Sequence, residues 1–381
     1  MHINELLQAA VQAGASDLHV KVGSYPMMRV HGTLMPATEA RRVEVADVEA
    51  MAATILSEIQ RLRFDKDNEV DLAYMISGLG RFRCNMYRQR GTIGLVFRVI
   101  PTRVLKIDEL GLPPVLKTIA EEERGLVLVT GTTGSGKSTT LAALLDHINT
   151  TKSCHIMTVE DPIEFLHRDN RSIVNQREVG ADTSSFARAL RSALRQDPDV
   201  ILVGEMRDFE TIETALAAAE TGHLVLSTLH TLDATETINR IIAVFPPHQQ
   251  RQIRLQLASV LKAAISQRLI PRADARGRVP AVEVLIGTAF VRDCIVDKEK
   301  TSMIPGAIAA GTSQYGMQTF DQSIFSLYAS GYITLDEALR WASNVNEFKL
   351  KVQGISTTGD AARDQMASQV LGGPEITRFG S

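Results

Sequence analysis

The residues Gly131-Thr132-Thr133-Gly134-Ser135-Gly136-Lys137-Ser138 carry the most specific chemistry in the chain. Glycines interleaved with small hydroxyl residues let successive main-chain N–H groups turn toward one point, and such a point suits phosphate oxygens. Lys137 adds a full positive charge for the β- and γ-phosphates, and the Ser138 hydroxyl can ligate Mg²⁺. Thr139 extends the same stretch, so residues 131–139 are the expected contacts of a nucleoside triphosphate, ATP. The loop works only where a strand leads in and a helix leads out. Leu126 to Thr130 is an unbroken apolar run, and Lys137 to Ile148 has helical periodicity.

A phosphate loop needs acids nearby. Val200-Ile201-Leu202-Val203-Gly204-Glu205 ends an apolar run on a glutamate, expected to bind Mg²⁺ directly or through water. Met157-Thr158-Val159-Glu160-Asp161-Pro162-Ile163-Glu164 places three carboxylates past another run. Glu160 or Glu164 could orient and deprotonate an attacking water, and spacing alone does not choose between them. His230 closes Ser227-Thr228-Leu229-His230-Thr231, on the edge where such sheets bind ligands, and could sense the γ-phosphate. His223, at the start of that run, reads as structural. Arginines form a further pattern. Arg188, Arg191 and Arg195 recur on one expected helix face, and six arginines with no acid lie between Arg81 and Arg103. Arg81 and Arg83 share a strand face, and Arg98 follows in a second strand-like run. Arginine is suited to clamping a departing γ-phosphate, often from a neighbouring subunit.

These residues need a frame. From Gly125 onward, short apolar runs alternate with helical stretches, the pattern of a parallel α/β sheet covered on both faces. Strands are expected at Leu126–Thr130, His155–Val159, Val200–Val203 and Leu224–Ser227, with helices at Lys137–Ile148, Ser184–Gln196 and Phe209–Glu220. After Pro246-Pro247 one long helix is expected to about Arg268, and the rest mixes a hairpin with short helices. Ahead of this part, a helix over Ile3–Val11, alternating runs at 16–22, 27–30 and 70–75, and an amphipathic helix over Asp47–Arg61 describe a small α+β domain. The expected divisions are 1–100, a linker at 101–115, an ATPase core at 116–288, a helical region at 289–352 and a disordered tail at 353–381, where glycines replace periodicity.

The chain's 381 residues suffice for two or more cores. Forty-one basic and forty-four acidic side chains leave a net charge of −3, so no nucleic-acid partner is expected. Three scattered cysteines, Cys84, Cys154 and Cys294, suggest neither a disulfide framework nor a zinc site. With no apolar run of membrane-spanning length and no signal-like start, the expectation is a cytoplasmic protein that meets the membrane through partners.

Taken together, residues 131–138, Val159 to Phe165, Asn175 to Gly180, Leu202 to Asp208 and Thr221 to Thr231 closely resemble the secretion-type hexameric ATPases. Gly14-Ala15-Ser16-Asp17-Leu18-His19 and Gly316-Met317-Gln318-Thr319-Phe320-Asp321-Gln322 look like the PilT-type retraction motors of type IV pili, and the likeness covers about residues 1–352. The resemblance implies a PAS-like N-terminal domain joined to a RecA-like P-loop ATPase domain with C-terminal helices. It also implies a homohexameric ring, an inner-membrane pilus platform protein as partner, and a second related motor ATPase as a further partner. Residues 160–164 become the family's Asp box, Gly204-Glu205 an atypical Walker B, and His223 to His230 the His box. Arg83 and Arg98 match its small-domain phosphate arginines, and Arg191 and Arg195 its large-domain ones. Ala289-Phe290-Val291-Arg292-Asp293 departs from the family's usual Ala-Ile-Arg. The implied function is a motor powering pilus retraction and twitching motility. Its rivals are a pilus-extension or type II secretion ATPase, a nucleic-acid translocase and a non-hydrolysing scaffold. Extension motors typically have a longer N-terminal region and a four-cysteine metal site, and the intact Lys137, Ser138 and Glu205 set opposes a scaffold.

Overall fold

The computed structural model describes residues 1–30, 32–37, 41–101, 103–275 and 277–354. Contacts divide the chain into Met1–Val104 with Pro162–His167, and Leu105–Asp161 with the residues from Arg168 onward.

In the first unit the alternating runs become β1 (Asp17–Lys21), β2 (Met27–Val30), β3 (Thr33–Pro36), β4 (Glu69–Ile76), β5 (Gly80–Gln89) and β6 (Thr92–Val99). They form one antiparallel sheet in the order β3-β2-β1-β6-β5-β4. Its inward residues Leu18, Val20, Phe82, Cys84, Met86, Leu95 and Phe97 pack with apolar residues of α1 (Ile3–Gln12), α2 (Val45–Ile55) and α3 (Glu58–Asp67). Alternation sends Asp17, Arg83 and Arg98 to the opposite face. The single helix expected over 47–61 is two. Leu56 is extended, and Ser57 opens α3 with a capping box in which its Oγ accepts from the Gln60 amide at 3.4 Å and Gln60 Oε1 accepts from the Ser57 amide at 2.9 Å. A reciprocal cap outcompetes helix continuation where a serine is followed three residues later by glutamine.

The second unit holds β7 (Gly125–Thr130), β8 (His155–Glu160), β9 (Ile173–Glu178), β10 (Val200–Val203), β11 (Leu224–Leu229), β12 (Leu261–Pro271) and β13 (Arg278–Ile286). Their order is β13-β12-β7-β11-β10-β8-β9, parallel except for the β12/β13 hairpin. Helices α4 (Val115–Ala120), α5 (Lys137–Thr151), α6 (Phe186–Ala193), α7 (Phe209–Glu220), α8 (Ala234–Ala243) and α9 (Gln250–Val260) accompany them. Leu126 and Leu128 face Ile212, Leu216, Ile238, Ile241 and Leu257, while Val127 and Val129 face Leu116, Leu141, Leu144 and Ile148. Each such side chain buried contributes roughly 1.5–3 kcal/mol, which is why a covered parallel sheet tolerates almost no polar residue within its strands.

All four expected parallel strands are present. Two expectations fail nearby. The long helix to Arg268 stops at Val260, and residues 261–271 form β12 instead, paired with β7 from Leu261↔Leu126 to Ser266↔Thr130. The apolar spacing there fits either period, and the vacant edge of β7 decides. Helix α6 ends at Ala193 with Leu194 as its C-cap, so Arg195 lies beyond it rather than on the face of Arg188 and Arg191. From α10 (Ala289–Val296) the described chain runs through short helices to Val345–Val352. Of the tail expected at 353–381, residues 355–381 lie outside the described residues.

Candidate nucleotide site

Strand β7 ends at Thr130 and α5 starts at Lys137, so the phosphate loop spans a strand end and a helix N-terminus. Gly131, Gly134 and Gly136 have φ of 141°, 80° and 93°. At Gly131 a Cβ would strike the Gln267 carbonyl and the Ser135 side chain, and at Gly136 it would lie 2.7 Å from Gln267 Nε2. Side chains are therefore excluded where the loop presses on β12, and the main chain is left to do the binding. Lys137 Nζ donates to the carbonyls of Gly131 (2.8 Å) and Thr132 (3.0 Å). Burial lowers the Lys137 pKa, and the Glu205 charge opposes that shift. Ser135 Oγ is buried without a hydrogen-bond partner. Such orphans are rare, and one inside an anion-type loop fits a ligand oxygen. Ser138 is exposed in the first turn of α5.

Neighbouring parallel strands bring their C-terminal ends together, and β10 and β11 do so here. Glu205 lies two residues past β10, with Oε2 2.7 Å from Arg207 Nε and 3.6 Å from His230 Nε2. His230 follows β11 directly. Its pKa is lowered, first by burial and then by the charge of Lys137, against the pull of Glu205. Lys137, Glu205 and His230 thus share one electrostatic neighbourhood. Glu160 ends β8, where Oε1 accepts from Thr158 Oγ1 at 2.6 Å and Gln176 Nε2 at 3.2 Å. Gly204 permits close packing of this corner, since a Cβ there would sit 3.3 Å from Glu160 Cα.

The other expected residues have surroundings of their own. Glu164 falls in Pro162–His167, the stretch grouped with the first unit. Arg191 forms an ion pair with Glu210, and Arg195 is exposed past α6. His223 Nδ1 lies 2.9 Å from the Ala218 carbonyl, as suits a structural histidine. In the first unit, Arg83 and Arg98 are direct cross-strand neighbours. Arg98 Nε donates to Asp17 Oδ1 at 3.0 Å, and Arg83 Nε lies 3.8 Å from Asp71 Oδ1. Together with Asn85 and Val96 these four residues line a pocket of about 300 Å³.

Gln267 is a residue that sequence reasoning misses. Its Oε1 accepts from Thr140 Oγ1 at 2.7 Å, tying β12 to α5 beneath the loop. The available signal is the polar pair Ser266-Gln267 inside an apolar run, which has meaning only once that run is recognised as a strand.

The family model of the type II/IV secretion system protein matches residues 1–340. The chain belongs to that family. It is 48% identical over 342 residues to the type IV pilus retraction ATPase PilT of Pseudomonas aeruginosa, covering 89% of this chain and 97% of that one. It is 40% identical over 372 residues to the type IV pilus ATPase PilU of the same organism, covering 98% and 96%. A crystal structure of the pilus retraction motor PilT with bound ADP superposes at a TM-score of 0.84 with 44% identity, covering 91% of this chain and 98% of that one. The secretion-family RecA-like P-loop fold is therefore the fold of this chain. Among its described residues no helix is long and apolar enough to cross a membrane.

Proposed function

We propose that this chain is an ATP-hydrolysing motor that powers type IV pilus retraction. The observation carrying the reading is the phosphate loop itself, two glycines sealed against β12, an orphaned Ser135 hydroxyl and a buried lysine, in a chain whose likeness to a retraction ATPase runs nearly end to end. ATP lays its phosphates on the amides of residues 131–139, with Lys137 leaving its two loop carbonyls for the β/γ-oxygens. Ser138 and Glu205 are the residues that would hold Mg²⁺, Glu205 directly or through water, and among the described residues no cluster of three or more His, Cys, Asp or Glu offers a cage of its own. Bound there, the ion neutralises charge on the β/γ-phosphates.

Glu160 orients the attacking water and takes its proton, with Glu164 as the alternative base. His230, whose pKa is lowered by desolvation and by Lys137, reports the γ-phosphate to Glu205. Arg83, Arg98, Arg191 and Arg195 clamp phosphate oxygens. Six copies form a ring, and phosphate release relaxes the contacts each nucleotide made. The ring works in the cytoplasm on a membrane-embedded pilus platform protein, with a second related motor as a further partner. Deletion in the source organism tests the cellular reading. Fibres retained without twitching support retraction, and bald cells overturn it in favour of extension.

A further inference from the structure

Glu283 is a carboxylate inside the second unit, 8% exposed on β13, that the site described above does not use. It completes a polar row across three strands. Thr130, the last residue before the phosphate loop, pairs with Ser266 on β12, and Ser266 pairs with Glu283 on β13. Thr130 Oγ1 donates to Ser266 Oγ at 3.0 Å, and Ser266 and Glu283 are direct cross-strand neighbours on the same face. Thr130 and Ser266 are fully buried. Polar side chains in register on one face of an otherwise apolar sheet are costly unless they are hydrogen-bonded.

The row ends on the main chain of α8. The Ala234 amide, first in that helix, donates to Glu283 Oε1 at 2.9 Å. This amide lies four residues past His230, and the residues between are folded tightly onto the first turn. Thr231 Oγ1 is 2.6 Å from Thr237 Oγ1, the Leu232 amide donates to Glu236 Oε2 at 2.7 Å, and Asp233 caps the helix through the Glu236 amide at 2.7 Å. Wherever the start of α8 is held, His230 is held with it. The charged groups facing Glu283 are Asp233, which opposes its ionisation, and Arg268, which favours it.

We propose that Glu283 is a positioning residue for hydrolysis: through the Ala234 amide it fixes the start of α8, and hence His230, to the strand from which the phosphate loop springs. The inference rests on the reading of His230 as the γ-phosphate reporter. It predicts coupling between two residues that do not touch.

The test is a double-mutant cycle on the purified full chain, following ATP hydrolysis and thermal melting. Glu283→Leu, similar in size but without an acceptor, is expected to lower kcat about tenfold and leave KM for ATP within about threefold. Glu283→Gln keeps an oxygen for the amide and should recover at least about half the rate. In a His230→Ala background, adding Glu283→Leu should lower kcat by less than about twofold, because the residue it positions is gone. Should Glu283→Leu fail to fold, Ser266→Ala replaces it, with about a threefold loss expected in the parent and none in His230→Ala. Losses that multiply in the double mutant, a KM that rises in step, or a Glu283→Leu enzyme of normal rate overturn the proposal. A normal rate in His230→Ala alone overturns the reading beneath it.

Discussion

Arg83 and Arg98 sit within the strands of an antiparallel sheet, on its more exposed face, whereas Lys137, Glu205 and His230 lie beyond the ends of parallel strands whose faces are covered. The difference follows from what each sheet can spare. In the first unit the described helices of that unit pack on one face, so alternation leaves every second residue free for charge, and neighbouring strands set two arginines side by side. In the second unit both faces are apolar, so polar chemistry moves to the loops at the C-terminal strand ends. Substituting a residue at a strand end should therefore remove function while the sheet persists. The same holds for the exposed arginines, but for a different reason, namely that their ion pairs are solvated.

The largest expected effect is at the loop. Lys137→Ala should reduce ATP hydrolysis by about a thousandfold with melting little changed, as should Glu205→Ala, because what is lost is charge and polar contacts in the loops, outside the apolar core. Rates within tenfold of the parent for both variants would falsify the site. Next is the exposed face. Arg98→Ala should lower kcat by about a hundredfold while changing stability by less than about 0.5 kcal/mol, since its pair with Asp17 leaves the arginine side chain 66% exposed. Equal damage to stability and rate would break the contrast drawn between the two sheets.

Within the loop, two glycines differ in kind. Gly131→Ala meets the Gln267 carbonyl and should cost about 2 kcal/mol or more in chemical denaturation, whereas Gly134→Ala has open space and should cost about 1 kcal/mol from its φ alone. Indistinguishable losses would mean that the contact with β12 is not what demands glycine.

The most gradual effect is a pH response of opposite sign in the two units. Asp47, hydrogen-bonded by Arg41, is held well below the usual carboxylate range. Its contribution is present above pH 4 and lost as pH falls further. Burial pushes Glu283 up to about 7 from 4.5, so its contribution is fullest below 4.5 and lost as pH rises toward and through 7. Between pH 5 and 7 the second unit should lose at most about 2 kcal/mol from this group, a slope that Glu283→Gln removes and Asp47→Asn does not. Denaturant titrations across that range, with identical slopes in parent and Glu283→Gln, would refute it.

Much of the candidate site is legible in the sequence because its signals are local. The phosphate loop, the apolar strands before Glu160, Glu205 and His230, and the alternating strands around Arg83 and Arg98 each declare themselves within about ten residues. Gln267 and Glu283 did not, for they lie on strands whose identity depends on partners far along the chain. Even the break at Ser57 was readable in principle, being a capping box spelled out in four consecutive residues.

By itself the amino-acid order determined a parallel α/β unit with a nucleotide loop at one strand end, since glycine's backbone freedom and apolar periodicity act over a single turn or strand. Tertiary structure alone decided that residues 261–271 are a strand and not the end of a helix, and so brought Gln267 to the loop and set Ser266 between Thr130 and Glu283. The reason is physical. Leu261 to Ile265 can satisfy its main chain in a helix or against a neighbour, and the unpaired edge of β7, some 135 residues earlier in the chain, offers the N–H and C=O groups that settle it.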